Sequence, residues 1–199
     1  MNETISRGAG GRGWRRALPQ LFAAALLLGG AALAIPAAWM PAKAALAQVL
    51  LERNFEANLA TGHNHRPWPW ADISASARLT VDRLGVSDIV LSGASGEAMA
   101  FGPAEFPTRQ HGRLKLLAAH RDSHFAWMRK LKVGDRIELE GVDGFTTQYE
   151  VTRMETVEWD RFAVPAQLHR ETLVLATCYP FDASGPGPLR RIAIAERIA

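Results

Sequence analysis

The chain has 199 residues, with 23 Lys and Arg against 20 Asp and Glu and a formal net charge of +3 at pH 7. That length holds one domain with appendages. Arg7, Arg12, Arg15 and Arg16 against Glu3 carry the whole charge excess, so the body is charge-balanced and has no basic footprint for nucleic acid.

Leu18–Met40 is nearly all apolar, and no charge falls between Arg16 and Lys43. About 20 such residues cross a bilayer core of roughly 30 Å. The arginine cluster ahead of the run predicts a cytoplasmic N-terminus, with the body outside the membrane. The expected division is a basic tail at 1–17, a single-pass anchor at 18–40, a juxtamembrane helix and linker at 41–72, and a domain at 73–199. A cleaved signal peptide is the competing reading, because Ala42–Ala44 and Ala45–Ala47 resemble cleavage sites; the length of the apolar run favours the anchor. Thr61–Asp72, rich in Pro and Trp, reads as an extended linker. Its His63 and His65 lack a third ligand at metal-binding spacing and read as solvated loop residues.

From Ala77 onward short β-type runs dominate. ARLTVDRLGV and DIVL read as two strands joined near Gly85. GASGEAMAFG reads as a turn and a short helix with Ser95 as N-cap. A strand follows over Gly112–Ala119, ending at His120. Helical turns over Asp122–Leu131 then place Phe125, Met128 and Leu131 at core spacing. DRIELEG, TTQYEVTRMETV, ETLVLATC and the run from Arg190 complete seven or eight strands. Many short strands with Gly/Pro turns argue for a closed or nearly closed β-barrel.

The only cysteine, Cys178, ends one apolar strand, and His120 ends another. A lone thiol outside the cytoplasm is either a reactive group or a small buried hydrophobe. An imidazole beside it can take its proton or pair with the thiolate. Neighbouring strands that stop at one rim bring the two together; His124 is the rival histidine. Arg190 opens the last strand and shares a face with Ile192 and Ile194, whereas Arg191 points the other way. If the isoleucines face core or groove, Arg190 is the inward guanidinium, able to steady charge on an attacked carbonyl. The AHRD tetrapeptide lacks the other segments of a kinase catalytic loop.

TLVLATCYP followed by LRRIAI resembles the sortase signature, and LLAAHRDSHF resembles that family's histidine segment. RPWPWAD, IVLSGASGEAMAFGP, AAHRDSHF and TCYPFD…GPLR together resemble the proteobacterial class GN sortases, over Pro67–Ile194. The chain departs from many members at Ala119, where they have glycine. The resemblance implies a mainly β, eight-stranded sortase-like barrel with short helices, preceded by an N-terminal transmembrane helix. It also implies an inner-membrane location with a periplasmic catalytic domain, and cysteine transpeptidase activity with neither cofactor nor metal. The implied substrate is a secreted protein with a C-terminal LPxTG-like sorting signal, transferred to an amine acceptor. Cys178 is the implied nucleophile, His120 the general acid and base, and Arg190 the oxyanion or peptide ligand. Ala119, Thr177 and Tyr179, with Ala163, Val164 and Pro165 of the Glu158–Arg170 connection, are the implied substrate contacts. An L,D-transpeptidase or another cell-envelope cysteine hydrolase is the rival enzyme, although the ATCYP context differs from the SxGC type. A membrane-anchored β-barrel binding module is the non-enzymatic rival.

Overall fold

The computed structural model describes residues 12–109, 112–163 and 168–198. The chain divides into two compact units at Leu46/Ala47, joined through one helix, α1 (Arg12–Thr61). In the first unit Leu21, Phe22, Leu26, Leu27 and Leu28 are exposed. Among the described residues no helix is long and apolar enough to cross a membrane. Residues 1–11 and the side chains at 12–17 of the expected basic tail, and the side chains at 18, 31, 33–38 and 40 of the expected anchor, lie outside the described residues.

The second unit is a closed barrel of eight strands. They are β1 (Ser74–Val81), β2 (Val86–Ser92), β3 (Ala104–Phe106), β4 (Leu114–Ala118), β5 (Arg136–Gly141), β6 (Thr146–Glu158), β7 (Thr172–Tyr179) and β8 (Leu189–Arg197). The order around the barrel is β1-β2-β3-β4-β7-β8-β6-β5, closed by pairing of β1 with β5. β2–β3 and β4–β7 are parallel; the other pairs are antiparallel. The expected mainly β, eight-stranded architecture with short helices is the one observed. The short helix α2 (Gly96–Phe101) is capped as its sequence predicts, Ser95 Oγ accepting from Ala98 N at 3.0 Å. The expected helical turns after His120 narrow to a 3₁₀ segment at Ala126–Lys130. Phe125, Met128 and Leu131 are nevertheless all buried in the barrel core with Leu79, Leu117, Leu173 and Leu175.

A second apolar cluster joins the end of α1 to the outside of β1–β3. Leu51 and Phe55 are fully buried there against Ile73, Ala75 and Leu91. Two asparagines one helical turn apart fix this contact. Asn54 accepts from Ala75 N at 2.9 Å and donates to His65 O at 2.8 Å. Asn58 accepts from His65 N at 2.7 Å and donates to Ala75 O at 3.1 Å. The pair therefore satisfies both backbone groups of two residues, a requirement that burial makes strict.

Candidate active site

The β7–β8 ladder sets Val174 opposite Ile194, Ala176 opposite Ile192, and Cys178 opposite Arg190. Opposed residues share a face of the sheet, and the face alternates along each strand. Leu173, Leu175, Ala193 and Ala195 fill the barrel core. Val174, Ala176, Ile192 and Ile194 therefore lie on the outer face, in a third apolar cluster with Leu116, Val157, Phe162 and Leu168. Cys178 and Arg190 end that outer face. Thr177 and Arg191 pair on the opposite one, where Arg191 Nη1 donates to Thr156 Oγ1 at 3.2 Å.

His120 reaches the same rim through β4. The parallel β4–β7 register runs from Leu114↔Thr172 to Ala118↔Ala176. It persists beyond the strand end, since Ala119 N donates to Ala176 O at 3.3 Å. The Thr177 hydroxyl donates to Ala119 O at 2.7 Å. Two further residues of this register would put His120 level with Cys178; among the described residues no hydrogen bond joins the two side chains. The thiol is half-buried and His120 is exposed. The rival His124 turns instead toward β2, with Nδ1 3.6 Å from Asp88 Oδ1.

The loop between β7 and β8 is held by three arginines. Arg129 Nη2 donates to Phe181 O at 3.2 Å. Arg121 Nη2 donates to Ala183 O and Gly185 O, both at 2.6 Å. Arg190 Nη1 donates to Gly187 O at 2.8 Å and Leu189 O at 2.9 Å. Glycine and proline give this loop little regular hydrogen bonding of its own, so the guanidinium groups take its carbonyls at alternate residues. Arg121 directly follows His120, and Arg190 opposes Cys178; the same loop is thus tied to both.

The remaining expected contacts are dispersed. Ala119 and Thr177 are buried, 5% and 3% exposed, and serve each other across the strands. Tyr179 alternates to Thr177's face and meets the Phe181 ring edge-on at 6.0 Å. Ala163 is exposed, while Val164 and Pro165 lie outside the described residues. Sequence reasoning missed Phe162 and Leu168, which pack on the outer cluster from either side of that segment. It also missed Arg121, whose loop carbonyl partners carry no local sequence signal. Among the described residues no group of three or more His, Cys, Asp and Glu is placed to hold a metal.

A family model of the Sortase domain matches residues 79–198. The chain belongs to the sortase family. Sortase D of Bacillus subtilis (strain 168) is 27% identical over 129 residues, covering 62% of this chain. The chain spans 64% of the length of that curated relative. Among solved structures, Sortase A from Corynebacterium diphtheriae superposes with a TM-score of 0.56 at 16% identity, covering 78% of this chain and 85% of the other. A Clostridium perfringens Sortase D5 transpeptidase gives 0.55 at 19% identity, covering 77% and 96%. At such identities the structural likeness establishes the sortase barrel alone.

Proposed function

We propose that this chain is a membrane-anchored cysteine transpeptidase of the class GN sortases, acting on secreted proteins with a C-terminal LPxTG-like sorting signal. The observation that carries the reading is the ladder register. Cys178 faces Arg190 on β8, and the β4 register, carried two residues past Ala118, supports a place for His120 level with Cys178. The class rests on the four sequence segments that resemble its members, and the family assignment supports the chemistry.

The sorting peptide lies on the outer apolar face, over half-buried Ala176, with its threonine carbonyl at Cys178. Sγ passes its proton to His120 and attacks that carbonyl carbon, and negative charge develops on its oxygen. The Arg190 guanidinium stabilises that charge; its Nε and Nη2 are engaged by no described residue, while Nη1 is spent on the loop. A preorganised donor of this kind is worth about 10²–10³ in rate. The C–N bond breaks as His120 protonates the leaving amine, which leaves a thioester on Cys178. In the second half an amine attacks the thioester, His120 accepts its proton, and the thiol is restored.

The anchor belongs to the same proposal. Exposed Leu21, Phe22, Leu26, Leu27 and Leu28 on α1 support burial of that stretch in the inner membrane, with the barrel in the periplasm. Confinement to one surface with secreted substrates raises their effective concentration. The test is transfer. With an LPxTG-like peptide and hydroxylamine, the protein releases a peptide hydroxamate, and Cys178→Ala releases none. Hydrolysis without hydroxamate would mark a protease instead.

A further inference from the structure

A cavity of about 550 Å³ opens where the two reactive strands end. Its lining includes Arg121 and Asp122, which follow His120, and Phe181, three residues beyond Cys178. Trp127 and Phe181 also pack against the barrel core, so the cavity lies on the core side of the rim. The apolar cluster assigned to the sorting peptide lies on the outer side. Arg129 and Lys130 complete a wall of three cations against one carboxylate, Asp122.

Arg121 is 8% exposed, and its Nη1 is buried with no hydrogen-bond partner. Among the described residues neither Arg121, Arg129 nor Lys130 forms a salt bridge. A buried guanidinium with no counter-charge is costly, and a nearby anion offsets that cost even without touching Nη1.

The geometry points to this cavity as the acceptor site, selecting an amine that carries a carboxylate. This rests on the transpeptidase reading and names the class of its second substrate. The acyl donor occupies the outer face, so the acceptor approaches from the core side. Its carboxylate sits against Arg129 and Lys130, over the fixed charge of Arg121. Phe181 lies at most about 10 Å along the chain from Cys178, the span of an extended tripeptide. An acceptor of that length reaches the thioester with its amine while its carboxylate stays in the cavity. The amine nitrogen then forms the C–N bond, the C–S bond breaks, and the amine proton passes to His120 and on to the sulfur.

The test compares triglycine with triglycinamide, which differ only in the terminal charge, as acceptors for one LPxTG-like donor peptide. The wild-type protein should favour triglycine by about tenfold in kcat/KM, the scale of one charge-assisted hydrogen bond. In the double variant Arg129→Gln/Lys130→Gln that ratio should fall to about twofold or less, at the scale of a weak exposed pair. Because the readout is a ratio on one enzyme, a general loss of activity cancels. Equal use of the two tripeptides by the wild type, or a preference that survives the double variant, overturns the proposal. Hydroxylamine is run in parallel: hydroxamate formed alongside equal use of the tripeptides overturns the acceptor site alone. No transfer to any amine overturns the transpeptidase reading and the acceptor site with it.

Discussion

Cys178 and Arg190 stand directly opposite each other across the antiparallel β7–β8 ladder, at its rim end and on its outer face. Arg191, the next residue, is committed to Thr156 on the other face. Arg190→Ala should slow acylation of Cys178 by about 10²–10³, as expected for loss of an oxyanion donor. Arg191→Ala removes only an exposed hydrogen bond and should change the rate by about twofold or less. Stopped-flow acylation with an LPxTG-like thioester measures both, and the reverse order would assign the chemistry to the wrong arginine.

The Thr177 hydroxyl holds the carbonyl of Ala119, the residue before His120. Thr177→Val leaves a buried carbonyl without its donor, at a cost of about 1–3 kcal/mol. Both Tm and the acylation rate should fall. Thr177→Ser keeps the hydroxyl and should restore the rate, whereas a purely volumetric role would be met better by valine.

Arg121 ties the β7–β8 loop to the residue after the histidine. Arg121→Ala frees Ala183 O and Gly185 O, and amide hydrogen exchange should rise across residues 181–189 while β5 and β6 keep their protection. Arg121→Lys should rescue it only in part, because both bonds come from Nη2, which lies one bond farther from the backbone than a lysine ammonium.

The end of α1 is part of the folding unit. Leu51 and Phe55 are fully buried, and removing side chains of this kind costs about 2–5 kcal/mol each. A chain beginning at Ala47 should melt cooperatively. One beginning at Ser74 should be markedly less stable and bind a hydrophobic dye through exposed Ile89 and Leu91, as a thermal melt with dye emission would report.

Asp135 gives the barrel an acid limit. The Arg83 hydrogen bond holds its carboxyl below the usual carboxylate range, with burial opposing and the Lys132 N–H assisting. A depressed pKa stabilises the fold above the unfolded value of about 3.9. That contribution is lost as pH falls through the lower folded value. Tm should therefore drop more steeply below about pH 4 in the wild type than in Asp135→Asn.

Much of this arrangement was legible in the chain. The runs LLAAH and LVLATC each stop at a chemistry-bearing residue, and strand parity separates Arg190 from Arg191 before any coordinates. Parity alone left open which surface Ile192 and Ile194 face; the register with Val174 and Ala176 settles it as the outer one. β3 escaped notice because three residues are too few to show alternation. The loop clamps of Arg121 and Arg129 join positions more than 50 residues apart, so no local pattern records them. The packing of α1 was hidden for a different reason: two of the residues that dock it, Asn54 and Asn58, are polar and add nothing to an apolar periodicity.

The most direct measurement is intact-protein and peptide mass spectrometry after incubation with an LPxTG-like peptide. The account predicts a hydroxylamine-labile acyl adduct on Cys178 that ends at the threonine, absent in Cys178→Ala and in His120→Ala although both remain folded. A folded, unmodified Cys178 across a panel of such peptides, or an adduct that forms equally well without His120, would contradict it.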